Sequence, residues 1–105
     1  MENVKVKNMT SARGKTVPNQ FIITTEDGQY FQSYESVIAF IPQDLGTVSG
    51  TFQGSELYPH IILDATYWDY STTTGKYRNQ FLGEDKAATE RKIKSGEYVL
   101  ADLNS

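Results

Sequence analysis

The stretch QFIITTEDGQYFQSY, residues 20 to 34, decides the fold class of this 105-residue chain. Two runs rich in β-branched and aromatic residues lie on either side of Asp27-Gly28, a pattern typical of a β-hairpin. Asp and Gly tolerate the positive φ angles that a type I′ turn requires at both central positions. The sequence therefore predicts a hairpin with Asp27-Gly28 at its tip and with Thr25 opposite Tyr30.

Further strand patterns lie on both sides of this hairpin. Residues 3 to 7 alternate as a short strand does, and residues 8 to 19 read as a polar loop. The run VIAFI, residues 37 to 41, is either a separate buried strand or a continuation of the hairpin past a bulge. Strand patterns return at residues 61 to 64 and 97 to 103. Because both faces of the hairpin are partly apolar, we expect one face at the core and the other beneath a helix or a loop.

Two short helices are predicted between the last two strands. Ser71 is a good N-cap for a helix of about residues 72 to 82, and Gly83 stands where a helix ends. A second helix is expected over about residues 85 to 95, followed by Gly96. The order of strands, two helices and a strand predicts an α+β fold, with both helices on one face of a mostly antiparallel sheet of about four to six strands.

The chain is predicted to be a single domain, residues 1 to 105, with one unusual segment. Residues 42 to 60 contain two Pro and three Gly over a length that exceeds ordinary loops. This segment is predicted to be a long loop or an extra hairpin.

Composition excludes several kinds of chemistry. The chain has no Cys, so disulfides, thiolate zinc sites, iron–sulfur clusters and Cys nucleophiles are all excluded. Its one His, His60, is expected at the surface, and no metal or cofactor is predicted. No stretch approaches the roughly 20 apolar residues of a membrane span, and no signal segment is recognisable. We therefore expect a protein of the cytoplasm that does not bind membranes.

The net charge of −3 is unevenly distributed. Residues 1 to 71 hold four cations and eight carboxylates, a net charge of −4, and residues 72 to 105 hold six cations and five carboxylates, a net charge of +1. Domains that bind nucleic acids non-specifically usually carry a positive net charge. The overall charge therefore disfavours that class without excluding a local basic patch.

Two segments carry a resemblance to a known group of proteins. The motif YFQSY with the following SVIA, and the motif YWDYS-x-TT-x-KYRNQFLG, are its most specific parts. The chain resembles, over residues 18 to 41 and 61 to 103, a family of small uncharacterised proteins carried by bacteriophages and prophages. The resemblance implies no activity, substrate or catalytic residue. Residues 42 to 60 look like a departure from the family, which tends to have a shorter connection there, and such additions often carry specificity.

Candidate binding residues come mainly from the predicted first helix and the segment before it. Trp68, Tyr70, Tyr77 and Phe81 are expected chiefly in the core, although aromatic rings also stack on bases. The outward residues of the helix form the candidate recognition surface, and the full set of candidate binding residues is Lys76, Arg78, Asn79, Gln80, Tyr70 and Phe52. The N-terminus of the helix, with its three Thr hydroxyls, could also accept a phosphate. No catalytic residue is predicted.

Three functional hypotheses follow from these observations. The favoured one is a non-enzymatic binding protein of a phage that acts against a host defence system, for example as an anti-CRISPR inhibitor. It would block a host bacterial protein complex or sequester a small signalling nucleotide. The alternative is a nucleic-acid-binding regulator that uses helix 72 to 82, and a small hydrolase or nuclease is a third. The sequence does not predict an oligomeric state.

Overall fold

The predicted hairpin lies within a six-stranded sheet. This computed structural model describes residues 4–48 and 50–105. Six of the strands form one sheet in the order β1-β2-β3-β4-β7-β8, which is antiparallel except for the pair β7–β8. The strands are β1 (Lys5–Thr10), β2 (Thr16–Thr25), β3 (Gly28–Ser33), β4 (Ser36–Pro42), β5 (Gly50–Phe52), β6 (Ser55–Leu57), β7 (Ile61–Asp64) and β8 (Tyr98–Ala101), and the helices are α1 (Thr72–Leu82) and α2 (Lys86–Ser95).

The α+β prediction is confirmed, and the connection of the last two strands explains why the helices are there. Parallel neighbours cannot be joined by a tight turn and need a crossover connection. Between β7 and β8 that crossover consists of α1 and α2. Side chains from both helices pack against one hydrophobic core.

The β2–β3 hairpin forms where it was predicted, but its register differs by two residues. Thr25 pairs with Gly28 and not with Tyr30. The turn residues are Glu26 and Asp27, and neither has a positive φ angle. The predicted type I′ turn at Asp27-Gly28 is therefore wrong. Because the shift is an even number of residues, every side chain keeps its predicted face of the sheet.

Close packing of the next strand accounts for this difference. Gly28 has a φ angle of 148°, and a Cβ atom there would lie only 2.1 Å from the carbonyl oxygen of Ile41 on β4. Beside it, the backbone N–H of Gln43 donates to the carbonyl of Asp27 at 2.8 Å. Gly28 is thus needed as a strand residue without a side chain, and this tertiary contact overrides the turn preference of Asp-Gly.

Other strand boundaries depart from the sequence patterns in smaller ways. β1 continues to Thr10 and β2 begins at Thr16, so the loop expected over residues 8 to 19 is much shorter. β4 is a separate strand, which follows a tight turn at Tyr34 and Glu35. Within residues 42 to 60, β5 and β6 pair with each other as a small two-stranded sheet outside the main one.

The first helix begins and ends at the predicted capping residues, and the second begins at Lys86, one residue after its predicted start. The Ser71 hydroxyl accepts a hydrogen bond from the backbone N–H of Thr74 at 3.2 Å, and Gly83 ends α1 with a φ angle of 72°. Asp85 caps α2 by accepting from Ala88, and Gly96 ends it. Neither helix in the described part of the chain is long and apolar enough to cross a membrane.

The core lies between the sheet and α1. Phe31 on β3 stacks against Phe81 of α1, with ring centroids 5.8 Å apart. A buried hydrogen bond of 2.9 Å joins the hydroxyls of Ser33 and Thr74 across the same interface. The other buried apolar residues of this core are Met9, Ile38, Ala39, Leu63, Tyr77 and Tyr98, and Trp68 packs against them half-buried.

A second group of apolar side chains runs across the sheet. Cross-strand pairing aligns one residue from each of the six strands in a single row: Val6, Ile23, Tyr30, Phe40, Ile62 and Val99. The four central residues are half-buried, whereas Val6 and Val99 at the ends are exposed. Tyr30 and Phe40 are in ring contact, with centroids 4.5 Å apart. Both faces of the hairpin are therefore partly apolar, as the sequence indicates.

A carboxylate network attaches α2 to β8. Glu84 accepts hydrogen bonds from the Lys92 ammonium at 2.6 Å, the Thr89 hydroxyl at 2.6 Å and the Tyr98 hydroxyl at 2.9 Å. Burial opposes ionisation of Glu84, but these three donors outweigh it and lower its pKa. Burial and the bond to Glu84 raise the pKa of Tyr98 to about 12. The network therefore holds an ionised Glu84 and a neutral Tyr98 together.

The packing around Gly28 predicts the effect of one substitution. Gly28→Ala should lower the free energy of unfolding by more than ~3 kcal/mol, because the new methyl group would overlap the Ile41 carbonyl. Gly50→Ala is the matched control, since a Cβ at Gly50 meets no atom within 4 Å. Urea unfolding of both variants tests this, and equal stabilities would contradict the register given above.

Candidate functional site

The segment between β7 and α1 is anchored by one buried carboxylate. Asp64, the last residue of β7, is 1% exposed. Its Oδ2 atom accepts from the backbone N–H groups of Thr66 at 3.0 Å and Tyr67 at 2.8 Å. Its Oδ1 atom accepts from the Leu103 N–H at 2.8 Å and the Asn104 amide at 3.0 Å. Burial opposes ionisation, but these four donors together lower the pKa of Asp64.

Asn104 links this carboxylate to β4 through hydrogen bonds. Its side chain accepts from the Val37 N–H at 2.7 Å and donates to the Val37 carbonyl at 2.9 Å. One amide side chain therefore satisfies both backbone groups of a strand residue and still reaches Asp64. The position of the turn after β7 is thus fixed relative to the start of β4, which follows Tyr34 and Glu35 in the chain.

A concavity of about 440 Å³ lies between these two turns. We call it the tyrosine pocket because Tyr34, Tyr67 and Tyr70 contribute its aromatic rings. Tyr67 and Tyr70 meet edge to face, with centroids 5.5 Å apart. The remaining lining residues are Ser33, Glu35, Ser36 and Ile38, so Glu35 carries the one formal charge of the pocket. Pockets of this size can hold a small molecule or a large side chain.

Tyr34 has an unusual backbone for a bulky residue. Its φ angle is 56°, a left-handed conformation that costs an L-residue other than Gly roughly 1–2 kcal/mol. Its N–H donates to the Asn19 carbonyl at 2.7 Å, and its carbonyl accepts from the Gln32 amide at 2.8 Å. Tyr34 as a whole is 53% exposed. The backbone is therefore held in a strained conformation that presents an aromatic ring to solvent.

A second concavity, of about 400 Å³, lies over the first turn of α1. We call it the arginine pocket because a buried Arg78, 1% exposed, contributes to its wall. The Nη1 atom of Arg78 donates to the Trp68 carbonyl at 2.7 Å, and the guanidinium lies 5.2 Å from the centre of the Trp68 ring. The other lining residues are Asp69, Ser71, Thr72, Gly75, Asn79 and Lys86.

The charges in the arginine pocket are paired with each other. Asp69 lies 2.8 Å from the Lys86 ammonium and 3.4 Å from Nη1 of Arg78. The hydrogen bond from Lys86 is the main cause that lowers the pKa of Asp69, and Arg78 adds to it. The Nη2 atom of Arg78 donates to Asn79 at 2.9 Å, whereas its Nε atom has no partner among the described residues. This network fixes Trp68 on α1, and because two cations share one carboxylate, the lining keeps a net charge of +1.

The structure corrects the predicted recognition surface of α1. Arg78, expected on the outward face, is buried because its guanidinium inserts beneath the Trp68 carbonyl. Asn79 is half-buried and bonded to Arg78, and Gln80 donates to the Thr10 carbonyl at 2.9 Å. Lys76 is exposed as expected, with its ammonium 5.4 Å from the centre of the Tyr77 ring. Lys76 is therefore the one cation that α1 presents to solvent.

The two remaining candidate residues lie in different parts of the fold. Tyr70 is 68% exposed, so the expectation that it belongs to the core is wrong, and it lines the tyrosine pocket. Phe52 is 62% exposed on β5, in the separate two-stranded sheet. Of the six candidates, only Arg78 and Asn79 line a pocket together.

Sequence reasoning missed Tyr34, Glu35 and Tyr67 as candidate site residues. Two signals were available for them. A Tyr at a tight turn, next to Glu35, is unusual because turns favour Gly, Asn and Asp. Tyr67 and Tyr70 are separated by three positions, so one turn of the chain brings them together, as the backbone bond from the Tyr70 N–H to the Tyr67 carbonyl indicates.

Other concave or ionisable features of the described residues are weaker candidates for a binding site. A larger concavity, about 660 Å³, is an open groove along α2 that is lined by Trp68, Ala87, Glu90, Arg91, Ile93 and Lys94. It contains none of the six candidates and mixes charges of both signs. His60 is exposed, and residues 4–48 and 50–105 contain no group of three or more His, Asp or Glu that could hold a metal ion.

Comparison with known proteins identifies the family. The chain belongs to a family of unknown function, DUF8033. The family profile matches residues 4–97, which include every residue that lines the two pockets. No curated protein and no solved structure matches the chain significantly.

The two cations of α1 should differ sharply in their effect on stability. Arg78→Ala should lower the free energy of unfolding by about 3 kcal/mol, because it removes buried hydrogen bonds and leaves a cavity beside Trp68. Lys76→Ala should change it by less than ~0.5 kcal/mol, since its side chain is exposed. The sequence pattern alone places both residues on the outward face of the helix and would predict a small effect for each. Urea unfolding tests it, and equal effects would contradict the burial of Arg78.

Acid should destabilise the fold through three carboxylates that accept hydrogen bonds or form ion pairs in the folded chain. The pKa values of Asp64, Asp69 and Glu84 lie below their ordinary values of 3.8, 3.8 and 4.5. Below these ordinary values the unfolded chain binds more protons than the folded one, so stability is lost as pH falls through the folded-state pKa values. We expect thermal midpoints to stay level above about pH 5 and to fall steadily below it.

Asp64→Asn isolates the contribution of the anchor. The variant should be less stable than the unaltered protein at neutral pH, and the difference should shrink as the pH falls below the ordinary value of 3.8 and through the lowered pKa of Asp64. Asp44→Asn, at an exposed position, serves as the control. A difference that stays constant over the whole pH range would show that the charge of Asp64 contributes nothing.

Proposed function

We propose that this chain is a non-enzymatic binding protein that attaches to another protein through the face that contains the tyrosine pocket. The observation that carries the proposal is the pair of exposed rings, Tyr34 and Tyr70, beside the half-buried Tyr67. Tyrosine is enriched at the centres of protein interfaces because it buries a large area at little cost in conformational entropy. Tyr34 adds a strained backbone, a feature that clusters at functional positions.

The biological setting of the proposal rests on the resemblance of two motifs to phage and prophage proteins. The motif YFQSY ends at Tyr34, and the motif that begins YWDYS contains Tyr67 and Tyr70. Six of the seven residues that line the tyrosine pocket lie in these motifs, all except Glu35, and the second motif also contains most of the arginine pocket. A phage protein with such a pocket would act in the host bacterial cytoplasm, where it would block a protein complex of a defence system.

Two other functions receive less support from the geometry. A signalling nucleotide carries phosphates and is best bound by cations without a carboxylate beside them, but Asp69 lies 2.8 Å from Lys86 and 3.4 Å from Arg78 in the arginine pocket. A nucleic-acid regulator that uses helix 72 to 82 would present several cations on that helix, and α1 presents only Lys76. A protein partner requires neither feature, and it is favoured for that reason.

Native mass spectrometry of the tagged chain, purified from bacterial cells, tests the proposal. We expect a complex with one host protein in a fixed ratio. The double variant Tyr34→Gly, Tyr70→Leu should lose this partner, because both exposed rings are removed. Tyr58→Leu is the matched control, since Tyr58 is another exposed tyrosine but lies outside the tyrosine pocket.

Each result of this experiment has a distinct meaning. A bound nucleotide in place of a protein would favour sequestration of a signalling molecule, and a bound nucleic acid would favour the regulator. A chain that is free of any partner in cells with an active defence system would contradict the proposal. A partner retained by the double variant would place the binding surface elsewhere on the molecule.

A further inference from the structure

We propose that the tyrosine pocket accepts an arginine side chain of a positively charged partner protein. This inference rests on the proposed function and specifies the chemistry of its contact. Three aromatic rings and one carboxylate surround the pocket, and no basic residue lines it. Such a set of groups attracts a cation and repels an anion.

The rings supply the first part of this attraction. The faces of aromatic rings are negative, so a cation within about 6 Å of a ring centre is attracted to it. Tyr67 and Tyr70 are arranged edge to face, 5.5 Å between centroids, so their faces point in different directions. Tyr34 contributes a third ring from the opposite turn. A flat cation can stack on one of these faces while the other rings exclude water around it.

Glu35 supplies the second part. It follows Tyr34 directly in the turn, is exposed, and carries the only formal charge among the lining residues. A carboxylate beside aromatic rings fits guanidinium better than ammonium, because guanidinium can bond both carboxylate oxygens and stack on a ring at once. It is also more weakly hydrated, so its transfer from water costs less. These differences favour arginine over lysine as the occupant.

The charge of the surrounding chain agrees with a basic partner. Residues 1 to 71 carry a net charge of −4, and they include all seven residues of the pocket. Complementary charge accelerates the encounter of two proteins and rejects partners of the wrong sign. A phosphate-bearing ligand would instead meet Glu35 without a compensating cation.

Preorganisation of the pocket supports binding of a single side chain. Both backbone groups of Tyr34 are hydrogen-bonded, at 2.7 and 2.8 Å. The turn that carries Tyr67 is fixed by Asp64 at 2.8 Å. Rings that are already in place lose little entropy when a ligand enters. The strained conformation of Tyr34 therefore has a use that a Gly at the same position could not supply.

Titration of the ¹⁵N-labelled chain with three short peptides, followed by NMR, tests the inference. The peptides are N-acetyl-Gly-Arg-Gly-amide and its citrulline and lysine analogues. Citrulline has the shape of arginine without the charge, so it is the matched control. We expect saturable shifts of the Tyr34, Tyr67 and Tyr70 signals with the arginine peptide. The citrulline peptide should bind at least about tenfold more weakly, equivalent to ~1.4 kcal/mol, and the lysine peptide should fall between them.

Variants of the chain separate the contributions of ring and charge. Tyr70→Leu and Glu35→Gln should each weaken the arginine peptide at least about fivefold, since one removes a ring and the other the charge. Tyr34→Gly should weaken it as well while retaining the fold, because Gly suits the positive φ angle. Tyr58→Leu, outside the pocket, should leave the affinity unchanged. Unaltered spectra away from the pocket establish that each variant is folded.

The opposite results would overturn the inference. Equal affinity for the arginine and citrulline peptides, or tighter binding of the lysine peptide, would contradict it. So would chemical shift changes centred outside the tyrosine pocket, or changes in the pocket that adenosine monophosphate produces and the arginine peptide does not. The peptides need no cellular partner, so this test is independent of the mass-spectrometric one. If the arginine peptide does not bind but a host protein is still captured, only the arginine contact is contradicted. If the peptide binds but no host protein is captured, only the proposed function is contradicted.

Discussion

The buried carboxylate of Asp64 holds together parts of the chain that are distant in sequence. It closes the turn after β7 through Thr66 and Tyr67, and it binds the residues that follow β8 through Leu103 and Asn104. Asn104 in turn bonds both backbone groups of Val37 at the start of β4. An ionised group without these donors could not be buried, because its desolvation would cost several kcal/mol. The β8 edge of the sheet, the turn after β7 and the candidate site thus share a single arrangement of hydrogen bonds.

The two pockets follow from how the segment after Asp64 is held at its other end. Arg78 donates a hydrogen bond to the Trp68 carbonyl and pairs with Asp69, and Ser71 caps α1. Because hydrogen bonds fix the segment at both of its ends, the backbone of Tyr70 between them is restricted, and Tyr70 is exposed to solvent. The arginine pocket therefore serves as internal support, and the tyrosine pocket is the surface that this support presents. An exposed ring on a rigid segment is suited to binding in a way that a ring on a mobile loop is not.

The sequence predicted correctly those features that depend only on residues close together in the chain. Ser71 and Gly83 gave the bounds of α1, since a cap needs only its neighbours along the chain. The hairpin register was wrong because it depends on the approach of Ile41 to Gly28, a contact between strands that no local pattern encodes. The outward placement of Arg78 failed for a similar reason, because helical periodicity assigns a charged residue to solvent unless a distant carbonyl is known to receive it. The tyrosine pocket joins two turns far apart in sequence, so it could be recognised only after the sheet had brought them together.

Tyr34 shows where stability and binding make opposing demands on the same residue. A turn with a positive φ angle is most stable with Gly or Asn, and a Tyr there carries strain without burying its ring. At most other positive-φ positions of the described residues the chain has Gly, as at the ends of both helices, and the remaining two are Asn19 and Gln53. Its neighbour Glu35 adds a charge that folding does not need, since it is exposed. Strain, exposure and unused charge occur together at this turn, beside two further tyrosines. Stability alone gives no reason for that combination, whereas the proposed binding of a flat cation uses both the exposed ring and the charge.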